Sequence, residues 1–301
     1  LTGKPIIATG WSGQVDFLDA NKAVLIGGEL ENVHKSAVVK DMILEHEIIL
    51  KNVLKVLCTN PSKFNPTVIR KQIDSISKPA EFTWTWDRYK KLFIEEKRIK
   101  NGKKFIADNL KTLERAEKTY GVPKEIITAI LGVETRYGKI MGSYRVIDSL
   151  ATLSFDYPRR ESFFRRELIE FFLLTRENNI DITSAKGSYA GAMGYGQFIS
   201  SSYRAYAVDF NGDGSADLFN SVDDAIGSVA NYLSVHGWKE EGSIIKEVDI
   251  NNVRKNYIPD EKLTKFISLR FKEGEKELFF IGDDNFIAIT KYNISHFYAM
   301  A

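Results

Sequence analysis

The sequence predicts a mainly α-helical fold of the α+β class, and three observations lead to this prediction. Helical hydrophobic periodicity dominates from about Lys51 onward, with prolines and glycines where helices would begin and end. Residues 243–292 depart from it, because short β-branched and aromatic runs alternate there with turn residues. Residues 1–50 differ again, because an apolar run followed by a glycine turn is typical of an α/β segment. We therefore expect a domain over residues 51–301 that contains a small β sub-domain at 243–292.

The N-terminal segment begins with an apolar run at residues 5–9 that leads into a glycine turn at 10–13. This pattern predicts a buried strand followed by a tight turn. The turn narrowly misses the G-x-S-x-G nucleophile elbow, since Gln14 stands where the last glycine belongs. A serine hydrolase is therefore not favoured. The stretch is weakly similar to part of a nucleotide-sugar glycosyltransferase, and the origin of residues 1–50 stays open.

Capping and breaking residues set the elements that follow. Pro123 suits the first turn of a helix, which we expect to run to about Arg136, with Gly138 near its end. Periodicity predicts further helices at 103–119, 159–177, 200–207 and 222–236. Two apolar runs, 243–248 and 278–289, are predicted as short strands joined by a Gly-Asp turn.

Composition excludes several classes of protein. Basic residues number 42 and acidic residues 40, so no global charge marks the chain as a binder of nucleic acid. Cys58 is the only cysteine, which excludes an internal disulfide framework and a thiolate metal cluster. The histidines lack metal-ligand spacing such as H-E-x-x-H. No run reaches the length of a membrane span, and the first residues lack the layout of a signal peptide.

Glu134 is the first candidate for catalysis. Helical spacing places it on one face with Ile126, Ile127 and Ile130, so its carboxylate extends an apolar stripe. Burial there should raise its pKa, and a carboxyl group that is protonated near neutral pH can act as an acid and then as a base. The alternative is a glutamate at a helix end that pairs with Arg136 or with a capping group.

A second candidate site is the glycine-rich stretch at residues 186–198. Its glycines allow the backbone to approach a bulky ligand closely. Ser188 and Gln197 can hydrogen-bond hydroxyl and N-acetyl groups, while Tyr195 and Phe198 offer apolar faces. These properties suit a sugar, whereas the glycine spacing fits no phosphate loop. An ordinary glycine-rich turn is the alternative.

A third candidate is the pair Arg159 and Arg160, which follows Tyr157 and Pro158. Two guanidinium groups beside a rigid turn could hold the carboxylates of lactyl or peptide groups. The alternative is a solvated helix start.

Residues 209–215 match the opening of a calcium loop. Oxygen ligands stand at Asp209, Asn211 and Asp213, a glycine follows, and Ser215 can offer its carbonyl. The second half departs from the pattern, because Asn220 occupies the position of the expected glutamate. An elongated loop closed by Asp223 would restore the ligand count. Alternatively, Ser221 is an N-cap, the helix dipole favours Asp223 and Asp224 in the first turn, and the loop is a plain turn.

Taken together, these segments resemble the lytic transglycosylases of the membrane-bound lytic murein transglycosylase B type, over roughly residues 80–301. The resemblance rests on six stretches in family order, namely residues 132–138, 150–155, 157–160, 191–198, 227–232 and 291–293.

The resemblance implies a lysozyme-like core with a helical N-terminal part, a small β sub-domain and an EF-hand-like loop that binds Ca²⁺ for stability. It implies that Glu134 is the sole catalytic carboxylate. The expected reaction cleaves the β-1,4 bond between N-acetylmuramic acid and N-acetylglucosamine and leaves a 1,6-anhydromuramyl end without consuming water. The residues it places along the glycan cleft are Ser188, Gln197, Arg159, Arg160, Tyr232, Tyr292, Asn293 and Tyr89. A monomer that acts on peptidoglycan strands in the periplasm or cell envelope is expected.

Three departures and three rivals accompany this interpretation. Residues 1–50 differ from the usual family lead-in, Cys58 is a poor lipidation site, and the chain stops at Ala301, where a closing helix is expected. The enzymatic rival is a hydrolytic muramidase on the same fold, with Asp148, Asp156 or Glu161 as the base. The other rivals are a non-catalytic protein that binds cell-wall glycan and a fusion that retains a glycosyltransferase remnant.

Overall fold

The structure is a computed structural model that describes residues 84–247, 269–273 and 276–301. The strand expected at residues 5–9, the turn at 10–13 and Cys58 lie outside the described residues. The extents of the segment at 1–50 and of the sub-domain at 243–292 stay predictions.

Helices make up most of the described residues, in agreement with the predicted class. In chain order they are α1 (Trp86–Phe93), α2 (Glu96–Asp108), α3 (Leu110–Tyr120), α4 (Lys124–Thr135), α5 (Val146–Asp156), α6 (Glu161–Glu177), α7 (Ser200–Tyr206), α8 (Val222–Val235), α9 (Phe286–Tyr292) and α10 (His296–Met300). A short 3₁₀ turn, Pro158–Arg160, precedes α6. The predictions for α4, α6, α7 and α8 agree to within one or two residues at each end.

The prediction of one helix over 103–119 was wrong, because Asn109 divides the segment into α2 and α3. Its backbone leaves the helical region, with φ −121° and ψ 22°, and its side-chain amide donates to the carbonyl of Phe105 at 2.9 Å. Asparagine competes in this way with the helical backbone bonds, so it ends one helix and starts the next.

The strands of the described residues form two small antiparallel sheets. In the first, β1 (Tyr144–Arg145) pairs with β2 (Lys186–Gly187). In the second, β3 (Ile245–Glu247), β4 (Leu269–Glu273) and β5 (Lys276–Gly282) have the order β3-β5-β4. The strand predicted at 243–248 is therefore confirmed.

The strand predicted over 278–289 is only half right, since β5 ends at Gly282 and a helix, α9, begins at Phe286. Asn285 between them is fully buried. Its side chain accepts from the backbone N–H of Lys239 at 2.7 Å and donates to the carbonyl of Gly242 at 2.5 Å. This anchor to a distant loop starts the helix, and the local β-type composition cannot reveal it.

The core lies among the central helices. Helix α5 packs on α6, and α8 packs on both α3 and α4. Leu131, Leu150, Phe171 and Ile226 are each at most 1% exposed. Burial of a side chain of this size contributes about 1.5–3 kcal/mol, so these contacts fix α4 against its neighbours. None of the helices in the described part of the chain is both long and apolar enough to cross a membrane.

Candidate active site

Glu134 lies in the last turn of α4, at the edge of the core. Ile127 and Ile130 on the same helix are 0% and 3% exposed, while Glu134 itself is half-buried and keeps some contact with solvent. Burial raises the pKa of its carboxyl group from 4.5 to about 7. The group is therefore partly protonated near neutral pH, as its position on an apolar face predicts.

Two side chains from the C-terminal helices interact with this carboxylate. Tyr298 of α10 and Asn293, which caps α9, lie beside it, and their polar groups partly offset the effect of burial on its pKa. The Tyr298 hydroxyl is fully buried and has no hydrogen bond of good geometry within the described residues. Its approach to Glu134 is thus close but imperfectly aligned. The sequence gives no local signal for Tyr298, because only the packing of α10 against α4 brings it to Glu134.

Arg136 does not pair with Glu134. Its guanidinium group lies 3.4 Å from the carboxylate of Glu95, which precedes α2. Arg136 and Tyr137 both have left-handed backbone conformations, with φ 52° and 62°. Such conformations cost about 1–3 kcal/mol each at residues other than glycine and occur often at functional sites. The alternative of a structural pair between Glu134 and Arg136 is therefore wrong.

The ring of Tyr137 holds this strained turn in place. Its hydroxyl donates to the carbonyl of Arg98 on α2 at 2.9 Å. The ring also lies directly against Gly132 of α4 and Gly102 of α2, where an added Cβ would approach it to 2.7 Å. Helix α4 can therefore end at one defined place relative to α2.

The glycine-rich stretch packs against the end of α4. The Thr135 hydroxyl donates to the carbonyl of Tyr195 at 2.8 Å. A Cβ at Gly138, whose φ is +81°, would lie 1.9 Å from the Tyr195 ring. Only glycine permits this approach. The structure thus places the stretch at 186–198 beside Glu134, although the two are far apart in sequence.

Within this stretch, Ser188 and Gln197 first stabilise the loop itself. The Ser188 hydroxyl accepts from the backbone N–H groups of Ala190 and Ala192, at 3.3 and 3.0 Å. Gln197 has a left-handed backbone, with φ 53°, and its amide donates to the carbonyls of Met141 and Gly194 at 3.1 and 3.0 Å. Both side chains are held in fixed orientations at the surface of the loop.

An aromatic wall formed by Phe198, Tyr232 and Tyr292 borders the same region. The ring centroids of Tyr232 and Tyr292 are 4.9 Å apart, and Phe198 lies 5.6 and 5.8 Å from them. The Tyr292 hydroxyl donates to the carbonyl of Gly196 at 2.5 Å, and the Tyr232 hydroxyl to that of Lys291 at 2.9 Å. Burial, and for Tyr292 also the charge of Glu134, raises the pKa of both phenols. The wall therefore presents neutral rings.

The remaining predicted cleft residues lie in different surroundings. Tyr89 is buried and stacks on Phe93, with ring centroids 4.3 Å apart. Arg160 is exposed, and its guanidinium group lies over the ring of Phe163 at 4.2 Å. The side chain of Arg159 lies outside the described residues.

The carboxylates of the hydrolytic rival have other partners. Asp148 accepts two hydrogen bonds from Arg145, both at 2.7 Å, and Glu161 forms an ion pair with Arg165. The side chain of Asp156 lies outside the described residues. Within the part of the chain that the structure describes, no second carboxylate contributes to the pKa shift of Glu134.

The predicted calcium loop is organised around backbone N–H groups. Asp209 accepts from the N–H groups of Gly212, Asp213 and Gly214 at 2.7–3.1 Å. Asn211 and Asp213 bond to each other through their side chains at 2.8 Å. No three His, Cys, Asp or Glu side chains of the described ranges converge as a metal site. The oxygen donors nevertheless suit Ca²⁺, which takes carboxylate, amide and backbone oxygens together.

Asp223 borders the same pocket as Asn211 and Asp213. Its carboxylate accepts from the hydroxyl of Thr112 on α3 at 2.6 Å. Asp224 holds the loop from inside: it is fully buried and accepts from the N–H groups of Phe210, Asn211 and Asp217 at 2.8–3.1 Å. Ser221 caps α8, accepting from the N–H of Asp224 at 3.1 Å. The N-cap alternative is therefore confirmed for Ser221.

Comparisons with known proteins agree with this fold. The family model for the transglycosylase SLT domain matches residues 36–301. Membrane-bound lytic murein transglycosylase B of Escherichia coli (strain K12) is 43% identical over 249 residues, which are 75% of this chain and 68% of that protein.

Two solved structures are also similar. One is the Escherichia coli lytic transglycosylase Slt35 in complex with calcium, at 38% identity and a TM-score of 0.69, covering 85% of this chain and 89% of that one. The other is SltB3 from Pseudomonas aeruginosa in complex with NAG-anhNAM-pentapeptide, at 26% identity and a TM-score of 0.65, covering 86% and 76%. The lysozyme-like fold is confirmed, and the chain belongs to the transglycosylase SLT domain family of lytic murein transglycosylases, enzymes that act on peptidoglycan.

Proposed function

We propose that this chain cleaves the β-1,4 bond between N-acetylmuramic acid and N-acetylglucosamine and leaves a 1,6-anhydromuramyl end. The observation that carries the proposal is the pKa of about 7 of the half-buried Glu134 carboxyl group. A carboxyl group with this pKa is populated in both protonation states at neutral pH. It can therefore donate a proton and take one back within a single reaction cycle.

The proposed reaction uses Glu134 twice. The protonated carboxyl group gives its proton to the glycosidic oxygen, and the bond from that oxygen to C1 of the muramyl residue breaks. The resulting carboxylate then takes the proton of the muramyl C6 hydroxyl while the C6 oxygen bonds to C1. This step closes the anhydro ring and restores the acid. No water is consumed. The buried hydroxyl of Tyr298 and the side chain of Asn293 are placed to orient the carboxylate in both steps.

A second carboxylate is not required by this scheme. Two-carboxylate glycosidases use the second group to activate water or to attack the sugar. Here the sugar supplies its own nucleophile. The pairing of Asp148 with Arg145 and of Glu161 with Arg165 supports this choice over hydrolysis.

We also propose how the substrate is bound. The rings of Tyr232 and Tyr292 are assigned to the cleft wall, and the loop that carries Ser188 and Gln197 to its floor. Asn293 is assigned two contacts, one with the Glu134 carboxylate and one with the substrate. The other assigned residues, which the family resemblance contributes, are Tyr89, Arg159 and Arg160.

We propose that Ca²⁺ binds the loop of Asp209, Asn211, Asp213 and Ser215. A relative of this fold has been solved in complex with calcium, and oxygen donors dominate the loop. Asp223, which borders the same pocket as Asn211 and Asp213, is assigned as the ligand that closes the loop. The protein is further proposed to act as a monomer in the periplasm or cell envelope, where peptidoglycan lies.

Digestion of purified peptidoglycan, with the products analysed by mass spectrometry, tests the reaction. We expect anhydromuramyl ends, which are lighter than reducing ends by one water. Glu134→Gln keeps the size of the side chain but cannot ionise, and it should abolish cleavage. Dominant reducing ends would replace the proposed chemistry with hydrolysis, and cleavage by the glutamine variant would remove Glu134 from its role.

A further inference from the structure

A groove of about 590 Å³ lies beside the glycine-rich loop but does not include Glu134. One wall carries Asn179 and Lys186, from the segment that follows α6. The opposite wall carries Ser215 and Asn220, from the second half of the loop between α7 and α8, residues 209–220, here called the aspartate-rich loop. The two walls therefore come from segments that the glycan cleft does not otherwise use.

The groove is adjacent to the proposed cleft. Met141 lines it, and the carbonyl of Met141 accepts the hydrogen bond from the Gln197 amide at 3.1 Å. Lys186 and Gly187 form strand β2, and Ser188 follows it directly, with about 3.3 Å between neighbouring residues of an extended chain. A ligand held at Ser188 and Gln197 would thus have the groove at its side.

Several polar groups of the groove are available to a ligand. Lys186 is exposed, and its ammonium group forms no ion pair with any residue that the structure describes. Asn179 is also exposed, and its side-chain amide has no hydrogen bond within the same residues. Its backbone is held in a left-handed turn at φ 51°. A cation and an amide therefore face the groove from a fixed wall.

The opposite wall carries a negative charge. The carboxylate of Asp217 accepts from the backbone N–H groups of Phe219 and Asn220 at 2.9 and 3.1 Å, so it is fixed in position. A ligand that carries both a carboxylate and an amine would complement Lys186 on one side and Asp217 on the other.

The groove combines polar groups with apolar surface. Tyr203 is 1% exposed, and its hydroxyl is used by the carbonyl of Ala216 and the N–H of Leu218. Phe219, which is half-buried, packs against Tyr203, with centroids 6.1 Å apart. The groove thus presents amide, hydroxyl and charged groups beside the apolar side chains of Ile180 and Phe219. Peptide amides and carboxylates match such groups.

We propose that this groove binds the peptide substituent of a muramyl residue, with Lys186 pairing with a carboxylate and Asn179 hydrogen-bonding a peptide amide. The inference rests on the proposed function, because the glycan must lie along Ser188 and Gln197 for its peptide to reach the groove.

The test compares two substrates, glycan strands that carry their peptides and the same strands after an amidase has removed them. The double variant Lys186→Ala with Asn179→Gly removes both side chains, and glycine accepts the left-handed turn without strain. We expect kcat/KM to fall about tenfold on peptide-bearing strands, as loss of two polar contacts implies. On stripped strands it should stay unchanged. Lys111→Ala, which removes one exposed lysine on α3, should alter neither rate.

Two outcomes would overturn the inference: an equal loss on both substrates, which would assign the groove to the glycan itself, and no loss on either. Failure of the wild-type protein to cleave peptide-bearing strands is a different result, because it counts against the proposed function. In that case, binding of the isolated peptide, measured by calorimetry with the wild type and the double variant, still decides the role of the groove. Equal affinities would refute it.

Discussion

The hydroxyl of Thr135 donates a hydrogen bond of 2.8 Å to the backbone carbonyl of Tyr195. The same hydroxyl accepts from the N–H of Gly138 at 2.9 Å. One buried side chain, adjacent to Glu134, therefore joins the end of α4 to the glycine-rich loop. The two parts of the proposed site hold their relative positions through this contact.

Thr135→Val should destabilise the protein by about 2 kcal/mol, because it leaves the N–H of Gly138 and the carbonyl of Tyr195 without a partner in a buried place. Denaturant unfolding measures this loss. Thr135→Ser keeps the hydroxyl and is the control, with a smaller loss. Equal stability of the valine variant and the wild type would show that the contact does not matter.

The rate of glycan cleavage should fall as pH rises through about 7. Burial raises the pKa of Glu134 to that value, and the first step needs the protonated acid. Initial rates on peptidoglycan between pH 5 and pH 9 measure the profile. A rate that stays constant up to pH 9 would contradict the assignment of Glu134 as the acid.

Glu134→Gln should stabilise the protein at pH 8 but not at pH 4. The folded-state pKa, about 7, lies above the ordinary 4.5, so the stability that the bound proton contributes is complete below 4.5 and is lost as pH rises to about 7. At 1.36 kcal/mol per pKa unit the full effect is about 3 kcal/mol. Thermal unfolding of both proteins at the two pH values measures it, and parallel pH profiles would disprove it.

Asp224→Asn should cost more stability than Asp223→Asn. Asp224 is fully buried and accepts from three backbone N–H groups of the aspartate-rich loop. An asparagine in its place would point its NH₂ group at backbone N–H groups, which are also donors. This lowers the free energy of unfolding by about 1–3 kcal/mol. Asp223 bonds only to the Thr112 hydroxyl among the contacts of the described residues. Urea unfolding without calcium ranks the two, and the reverse order would refute this account of the loop.

Calcium should raise the melting temperature of the wild type, and Asp209→Ala should remove this dependence. A ligand that binds only the folded state stabilises that state by mass action. Since Asp209 also holds three backbone N–H groups, the variant will be less stable in any case. The informative quantity is the shift between chelator and excess calcium. A full shift in the variant, or none in the wild type, would argue against the site.

The sequence by itself determined the helical class and most helix positions, and it singled out Glu134 as a candidate. Each depends on local patterns: apolar residues at helical spacing, Pro123 at a helix start, and a carboxylate on an apolar face. The six family stretches, which occur in the family's order along the chain, indicated the expected reaction. These signals lie within a few residues of the feature that they predict, so they can be read without the fold.

Tertiary structure alone decided which partners meet. Arg136 pairs with Glu95, and Tyr298 approaches Glu134. Helix α9 starts at Asn285, which is buried and bonded to Lys239. Each of these contacts joins residues that are distant in sequence. In each case several partners satisfy the same local chemistry. Packing selects one of them, because a buried polar group must find its hydrogen bond wherever the fold places one.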